Sequence, residues 1–239
     1  SHVMHITSNV QGLLDEDAVV AYYQGISEVV DLPVFIQNHT RGMVLSPRLM
    51  ARIIKETEHV EYIKEETFPV THMVTQAIEL CGPKLKGVFG GAGGRYMLFE
   101  YPRGVAGQMP GCHVTDVMVK YWDALDGGDV AEAKRIYGLL APLYALESLK
   151  GASYPEVLRR RGVIDAVYSR TSTLSSMDAY DLRALDECLR DLEPLMKSRP
   201  SRVLTRRPRS PRSHTLTKVP QTLWSRLAKP IRVSTRSGP

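Results

Sequence analysis

The sequence predicts an α/β protein, with a parallel sheet of strand–helix units followed by a region of helices alone. Two observations carry this. Through about residue 113, short apolar runs alternate with segments whose apolar residues recur every three or four positions, the pattern of βαβ units. From residue 114 the short runs stop and only the helical period continues. A third observation divides the chain again. Residues 1–196 hold 19 Lys and Arg with all 26 Asp and Glu, a net charge of −7, whereas residues 197–239 hold 12 Lys and Arg and no acid. The basic isoelectric point of about 9.1 therefore comes from the last segment. The predicted parts are 1–113, 114–196 and a basic extension over 197–239, whose Arg, Ser, Thr and Pro content is that of a disordered segment.

The elements follow in order. Val3–Thr7 reads as a strand, and Asp15–Val30 as a helix with Val19, Val20, Tyr23, Ile26 and Val30 near one face. Pro33–Gln37 is the second strand. Ser46 and Pro47 suit the N-cap and first position of a helix whose apolar stripe is Leu49, Ile53 and Ile54. Val60–Lys64 is the third strand, and strand alternation puts Val60, Tyr62 and Lys64 on one face. A helix over roughly 69–81 stops at Gly82-Pro83. Gly87–Phe89 and Val105–Met109 are the last strands, with a short helix around Tyr96–Glu100 between them. Beyond them, Val114, Val117, Met118, Tyr121, Trp122 and Leu125 make a helical stripe that ends at Gly127-Gly128. Asp129 with Glu132 forms a predicted capping box, and Pro142 is expected to kink or divide the helix it opens. A final helix covers about 178–196, with Leu182, Leu185, Leu189 and Leu192 on one side.

Several classes of function are disfavoured. No apolar run approaches the ~20 residues that span a bilayer, so no membrane partner is expected. The start, Ser1-His2-Val3-Met4, lacks the pattern of a secretory signal, and a cytoplasmic location is expected. Cys81, Cys112 and Cys188 form no CxxC pair and read as three reduced thiols, buried or half-buried. No histidine stands at a zinc-like spacing. His113 and Asp116 are three apart, but Asp116 suits a first helical turn, so no metal is expected. The glycine run over residues 90–94 lacks the P-loop and the GxGxxG spacing, and reads instead as a place where backbone can approach a substrate closely. Arg206-Arg207-Pro208-Arg209 has the charge to meet phosphates, yet the abrupt change at residue 197 favours a bland extension over nucleic-acid binding.

Five motifs then fall in a familiar order. The segment DLPVFIQN (31–38) resembles the fifth strand of the dihydrodipicolinate synthase/N-acetylneuraminate lyase family. VEYIKEET (60–67) resembles its sixth strand, GVFGG (87–91) its seventh and RGVAG (103–107) its eighth. GGDVAEA (127–133) is similar to the turn into the family's C-terminal helices, and the resemblance covers about residues 3–196. It implies a partial (β/α)8 TIM barrel, strands four to eight, followed by a C-terminal helical region. It further implies a class I aldolase-type lyase or synthase acting on pyruvate or a 2-keto-3-deoxy acid. In that reading Lys64 forms the Schiff base, Gln37 holds the position of the family's proton-shuttling tyrosine, Arg41 stands near the mouth of the site, and Gly90 and Ala106 touch substrate. No cofactor is implied; the partners are a small 2-oxo acid and further copies of the chain in a homo-oligomer.

Two departures qualify the resemblance. Only two strand candidates precede that of Lys64, so strands one to three, with the motif that grips the substrate carboxylate, are expected to be absent from this chain. Activity of the isolated chain is expected to be impaired or lost. In addition, the amide of Gln37 can hydrogen-bond but cannot ionise, which points away from dihydrodipicolinate synthesis and towards cleavage or dehydration of 2-keto-3-deoxy sugar acids. The alternative to an enzyme is a catalytically silent fragment or interaction module of the same family.

Overall fold

Two helices of the strand–helix region start where a side chain can hold the free N–H groups of the first turn. Asp15 accepts from the Asp17 N–H ahead of α1 (Glu16–Ser27), and Ser46 accepts from the Leu49 N–H ahead of α2 (Pro47–Glu56). Glycine ends α3 (Val70–Cys81), with Gly82 at a φ of 70° that suits a residue without Cβ. The structure is a computed structural model that describes residues 3–6, 15–149, 153–168 and 177–197. Thr7 and the basic extension from residue 198 lie outside them.

Between these helices run β1 (Val3–Ile6), β2 (Val34–Asn38), β3 (Val60–Glu65), β4 (Gly87–Gly90) and β5 (Gly107–Gln108), all parallel and paired in chain order. The predicted α/β class is therefore what the chain adopts. β5 is shorter than predicted, but its ladder reaches further: the Ala106 N–H donates to the Val88 carbonyl and the Met109 N–H to the Gly90 carbonyl.

The sheet has two unlike faces. Towards α1–α3, Val34, Ile36, Ile63 and Val88 pack with Val20, Tyr23, Leu49, Ile53 and Val74 in one buried cluster. On the opposite face Phe35 stacks on Tyr62 with ring centroids 4.6 Å apart, and Phe89 meets Phe35 edge-on at 5.3 Å. Val60 was expected beside Tyr62 and Lys64, and it is not there. The register slips between Val34 and Phe35: Val34 pairs with Val60, but Phe35 pairs with Tyr62. The extra residue, Glu61, turns Val60 to the helix-side core and leaves Tyr62 and Lys64 on the other face.

The C-terminal region is helical: α4 (Met97–Glu100) leads into it, and α5 (Thr115–Asp126), α6 (Val130–Leu149), α7 (Ser153–Arg160) and α8 (Ala179–Leu192) build it. Met118, Tyr121, Ile136, Leu140, Leu143, Leu185 and Leu192 form a second buried cluster. Pro142 does not divide its helix; α6 runs through it. One lost backbone bond is outweighed by the packing of Ile136 and Leu140 before the proline and Leu143 and Tyr144 after it. The predicted capping box closes on one side only. Asp129 accepts from the Glu132 N–H, but the Glu132 carboxylate turns to Arg135. α7 has no counterpart in the sequence reading, because eight residues with one fully buried apolar side chain, Val157, give no periodicity to detect. Ion pairs hold it instead: Glu156 with Arg159 and Arg160, Arg160 with Asp186 on α8, and Arg161 just beyond it with Asp116.

The cysteines are unpaired, but Cys112 is exposed rather than buried; Cys81 and Cys188 are buried, and burial pushes the Cys81 thiol up to about 11. Among the described residues no helix is long and apolar enough to cross a membrane.

The second core yields a direct test of packing. Leu140→Ala, at a fully buried position of α6, should lower unfolding stability by about 2–5 kcal/mol in urea titration. Val130→Ala, half exposed at the start of the same helix, should change it by less than about 0.5 kcal/mol. Equal effects would mean that the helices do not share this core.

Candidate active site at the carboxyl ends of the strands

Above the aromatic layer of Phe35, Tyr62 and Phe89, the same sheet face turns polar. Gln37 and Lys64 are paired across β2 and β3, one strand alternation beyond the paired Phe35 and Tyr62. One alternation further along the chain stands Glu66. The Lys64 ammonium lies 3.1 Å from Glu66 Oε2, and both side chains are nearly withdrawn from solvent, at 13% and 10% exposure.

Glu66 is held from three directions. The Gln37 amide donates to Oε2 at 2.7 Å, and the Ala92 backbone N–H donates to Oε1 at 3.0 Å. Burial works to raise the Glu66 carboxyl, but the Ala92 N–H, the Gln37 amide and the Lys64 charge together hold it below the usual carboxylate range. The glycine run after β4 makes room for this. A Cβ on Gly91 would stand 2.2 Å from Glu66 Cγ, so only glycine lets the carboxylate occupy its place. Ala92 sits at a φ of 50°, a left-handed conformation that costs energy for a residue with Cβ, and its N–H points at Glu66.

A buried network braces the loop after β2. The Asn38 amide donates to Glu65 Oε2 at 2.9 Å and to the Leu45 carbonyl at 3.0 Å, while its oxygen accepts from the Leu45 N–H. Burial raises the Glu65 carboxyl against the hydrogen bonds from Thr67 and Asn38. This network fixes both ends of the segment carrying His39 and Arg41, whose side chains reach the site.

The C-terminal helices supply the opposite wall. His113 Nε2 meets Glu147 Oε1 at 2.5 Å, and Tyr154 stacks on the His113 ring at a centroid distance of 4.0 Å. Arg95 donates to the Tyr144 carbonyl at 2.9 Å and lies 4.0 Å from Glu147. Burial pushes the Tyr154 phenol up to about 12, so it keeps its proton and acts as a donor near neutral pH. Between the walls is a polar pocket of about 360 Å³. Lys64, Glu66, Gln37 and Arg41 line one side, and Arg95, Glu147, Ser148 and Tyr154 the other.

Lys64, Gln37 and Arg41 are thus brought together at one pocket. Gly90 and Ala106 are not among its lining residues. A Cβ on Gly90 would meet Gln108 and Glu100 at 2.2 Å, so that glycine makes room for a buried side-chain pair. Ala106 is exposed, and its methyl faces Gly87 at the opposite end of β4. His113 does not pair with Asp116 as its spacing suggested. Asp116 is bridged by Arg161, and although burial works to raise it, that guanidinium keeps it low. The sequence reading missed Glu66, although its place two residues after Lys64 marks the same strand face. It also missed Arg95, Glu147 and Tyr154, which local spacing cannot bring to the strand ends. Among the described residues no group of three or more His, Cys, Asp or Glu is placed to hold a metal ion.

Behind Gly90, Glu100 is fully buried and accepts from Gln108 Nε2 at 2.5 Å, while its other oxygen has no hydrogen-bond partner. Burial lifts it to about 7, above the usual carboxylate range. The folded state then binds a proton that the unfolded chain has released between about pH 4.5 and 7, so this group's contribution to stability falls as pH rises through that window. In chemical denaturation, wild type minus Glu100→Gln should show stability decreasing over that range. A difference that is flat or rises with pH would contradict the assignment.

No family model matches the chain. The L-2-keto-3-deoxyarabonate dehydratase of Azospirillum brasilense is 25% identical to it over 183 residues, covering 76% of this chain and 59% of that enzyme. Solved structures share the fold. The dihydrodipicolinate synthase of Rhodopseudomonas palustris superposes with a TM-score of 0.71 at 22% identity, over 80% of this chain and 66% of that one. That of Thermotoga maritima gives 0.70 at 18% identity, over 82% and 67%. The Acinetobacter baumannii enzyme, complexed with pyruvate, gives 0.67 at 17% identity, over 80% and 66%. The chain therefore spans about 59% of the length of its curated relative. The chain is thus similar in sequence to this dehydratase and shares the fold of these synthases.

Proposed function

We propose that the chain carries the Schiff-base half of a class I aldolase-type lyase, acting on a 2-keto-3-deoxy sugar acid. The observation that supports it is the placement of Lys64: a nearly buried amine at the carboxyl end of a parallel strand, facing a polar pocket and touching a carboxylate. Active sites of this architecture lie at that end of the strands. The amine attacks the C2 ketone, water leaves, and the resulting iminium draws electrons from C3. β1–β5 are proposed to correspond to strands four to eight of the barrel.

Two features favour a hydroxylated substrate over the condensation run by the synthases. Gln37 cannot ionise and already spends its amide on Glu66. The far wall, with Arg95, Glu147, Ser148 and Tyr154, offers both donors and acceptors, as a chain bearing hydroxyls requires. The dehydratase relative acts on a compound of this class by name.

Borohydride reduction with excess pyruvate should leave one covalent adduct, mapped to Lys64 by peptide mass spectrometry, and Lys64→Ala should leave none. An adduct that persists in the variant would remove the assignment, and none in the wild type would favour a silent module. Joined to strands one to three of a relative and supplied with 2-keto-3-deoxy sugar acids, the protein should cleave or dehydrate them in preference to condensing pyruvate with aspartate semialdehyde. Robust condensation in a coupled assay would refute that preference.

A further inference from the structure

We infer that Glu147 reads the tail of the substrate: its second carboxyl oxygen accepts from the C5 hydroxyl of a 2-keto-3-deoxy sugar acid held on Lys64, so that the pocket selects an uncharged, hydroxylated chain. The inference rests on the Schiff-base reading of Lys64 and deepens it. Lys64 lines one side of the pocket and Glu147 the other. An acyl chain attached to the amine therefore starts at one wall and ends at the opposite one. Its C3 and C4 take part in bond breaking, which leaves the hydroxyl at C5 as the lasting handle.

Glu147 stands in the last turn of α6, with its side chain only 3% exposed. A carboxyl group so far withdrawn from water needs a partner for each oxygen. His113 Nε2 meets Oε1 at 2.5 Å, whereas Oε2 is buried and makes no hydrogen bond. The Arg95 guanidinium is 4.0 Å from that oxygen, beyond hydrogen-bond reach, and its own Nε is buried without a partner. The Tyr154 hydroxyl borders the same space. A Cβ on Gly93 would stand 3.0 Å from that hydroxyl and 3.6 Å from Glu147 Oε2, so the glycine, at a φ of 71°, keeps the gap open. Burial first, then the nearby Glu147 charge, push the Tyr154 phenol up to about 12, so it offers a proton rather than taking one. An unpaired acceptor thus shares a gap with donors. An alcohol suits both, because one hydroxyl donates a bond and accepts another.

An anionic tail is the other ligand this wall could meet, since Arg95 is positively charged. That guanidinium is already engaged: it donates to the Tyr144 carbonyl at 2.9 Å and lies over the Tyr144 ring, 5.7 Å from its centroid. Glu147 also faces it. A phosphate or second carboxylate beside Arg95 would meet the buried oxygen of Glu147, and like charges repel strongly away from water.

The test is a competition for Lys64. Isotope-labelled pyruvate and unlabelled 2-keto-3-deoxyarabonate are mixed at equal concentration and reduced with borohydride, and peptide mass spectrometry reads the ratio of unlabelled to labelled adduct. Pyruvate has no carbon beyond C3 and does not reach the far wall. In Glu147→Gln the ratio should fall about 10-fold or more, because the amide replaces a charged acceptor and can turn its NH2 to the gap. Tyr154→Phe keeps a ring beside His113 but loses the hydroxyl, and it should lower the ratio in the same direction. Far-UV circular dichroism and melting establish which variants are folded. An unchanged ratio in folded Glu147→Gln, or in Tyr154→Phe where that variant alone folds, would overturn the inference while pyruvate trapping on Lys64 upheld the Schiff base. So would a wild type that prefers the same acid phosphorylated at C5. A wild type that traps neither compound would remove the Schiff-base reading, and this inference with it.

Discussion

The Glu66 carboxylate joins three elements at the carboxyl end of the sheet. It accepts from Gln37 on β2, touches Lys64 on β3 and accepts from Ala92 after β4. A negative charge withdrawn from water must find donors or shed its charge. Here it finds three, and each constrains an element. The glycines after β4 let the backbone fold close enough to donate, the strained Ala92 aims its N–H, and the amide side chain on β2 donates from the neighbouring strand. The buried pair Asn38–Glu65 repeats the device one layer behind, tying the loop that carries Arg41 to the same strand end. The pocket's shape thus follows from satisfying buried carboxylates.

The two sheet faces divide the labour. Aliphatic side chains bind the helices to one face, where close packing fixes the strand positions. Aromatic rings floor the other, and the polar residues begin one alternation above them. The slip at Glu61 is what allows β3 to serve both faces, with Val60 packed among the helices and Lys64 turned to the pocket. The C-terminal helices are held by their own core and ion pairs, and they close the site with Arg95, Glu147 and Tyr154.

Much of this was legible in the chain. Period-two and period-3.6 apolar patterns located all five strands and most helices, because those faces are buried and burial selects apolar residues. Lys64, Gln37 and Arg41 were legible because motif order placed them at strand ends. Glu66 was within reach of the same argument, two residues beyond Lys64, but a charged residue after a strand ordinarily reads as a solvated end. Arg95, Glu147 and Tyr154 left no local trace; their meeting depends on how helices stack. The slip at Val34/Phe35 was equally silent, since alternation assumes an unbroken register. Gly90 and Ala106 were placed at the site by motif alone. Each stands in its motif, and neither lines the pocket.

A crystal structure of the protein after borohydride reduction with a 2-oxo acid tests the central claim most directly. The account predicts continuous density from Lys64 Nζ to C2 of the ligand, with the ligand in the pocket lined by Gln37, Arg95 and Tyr154. An adduct on another lysine, or a ligand bound outside this pocket, would contradict it.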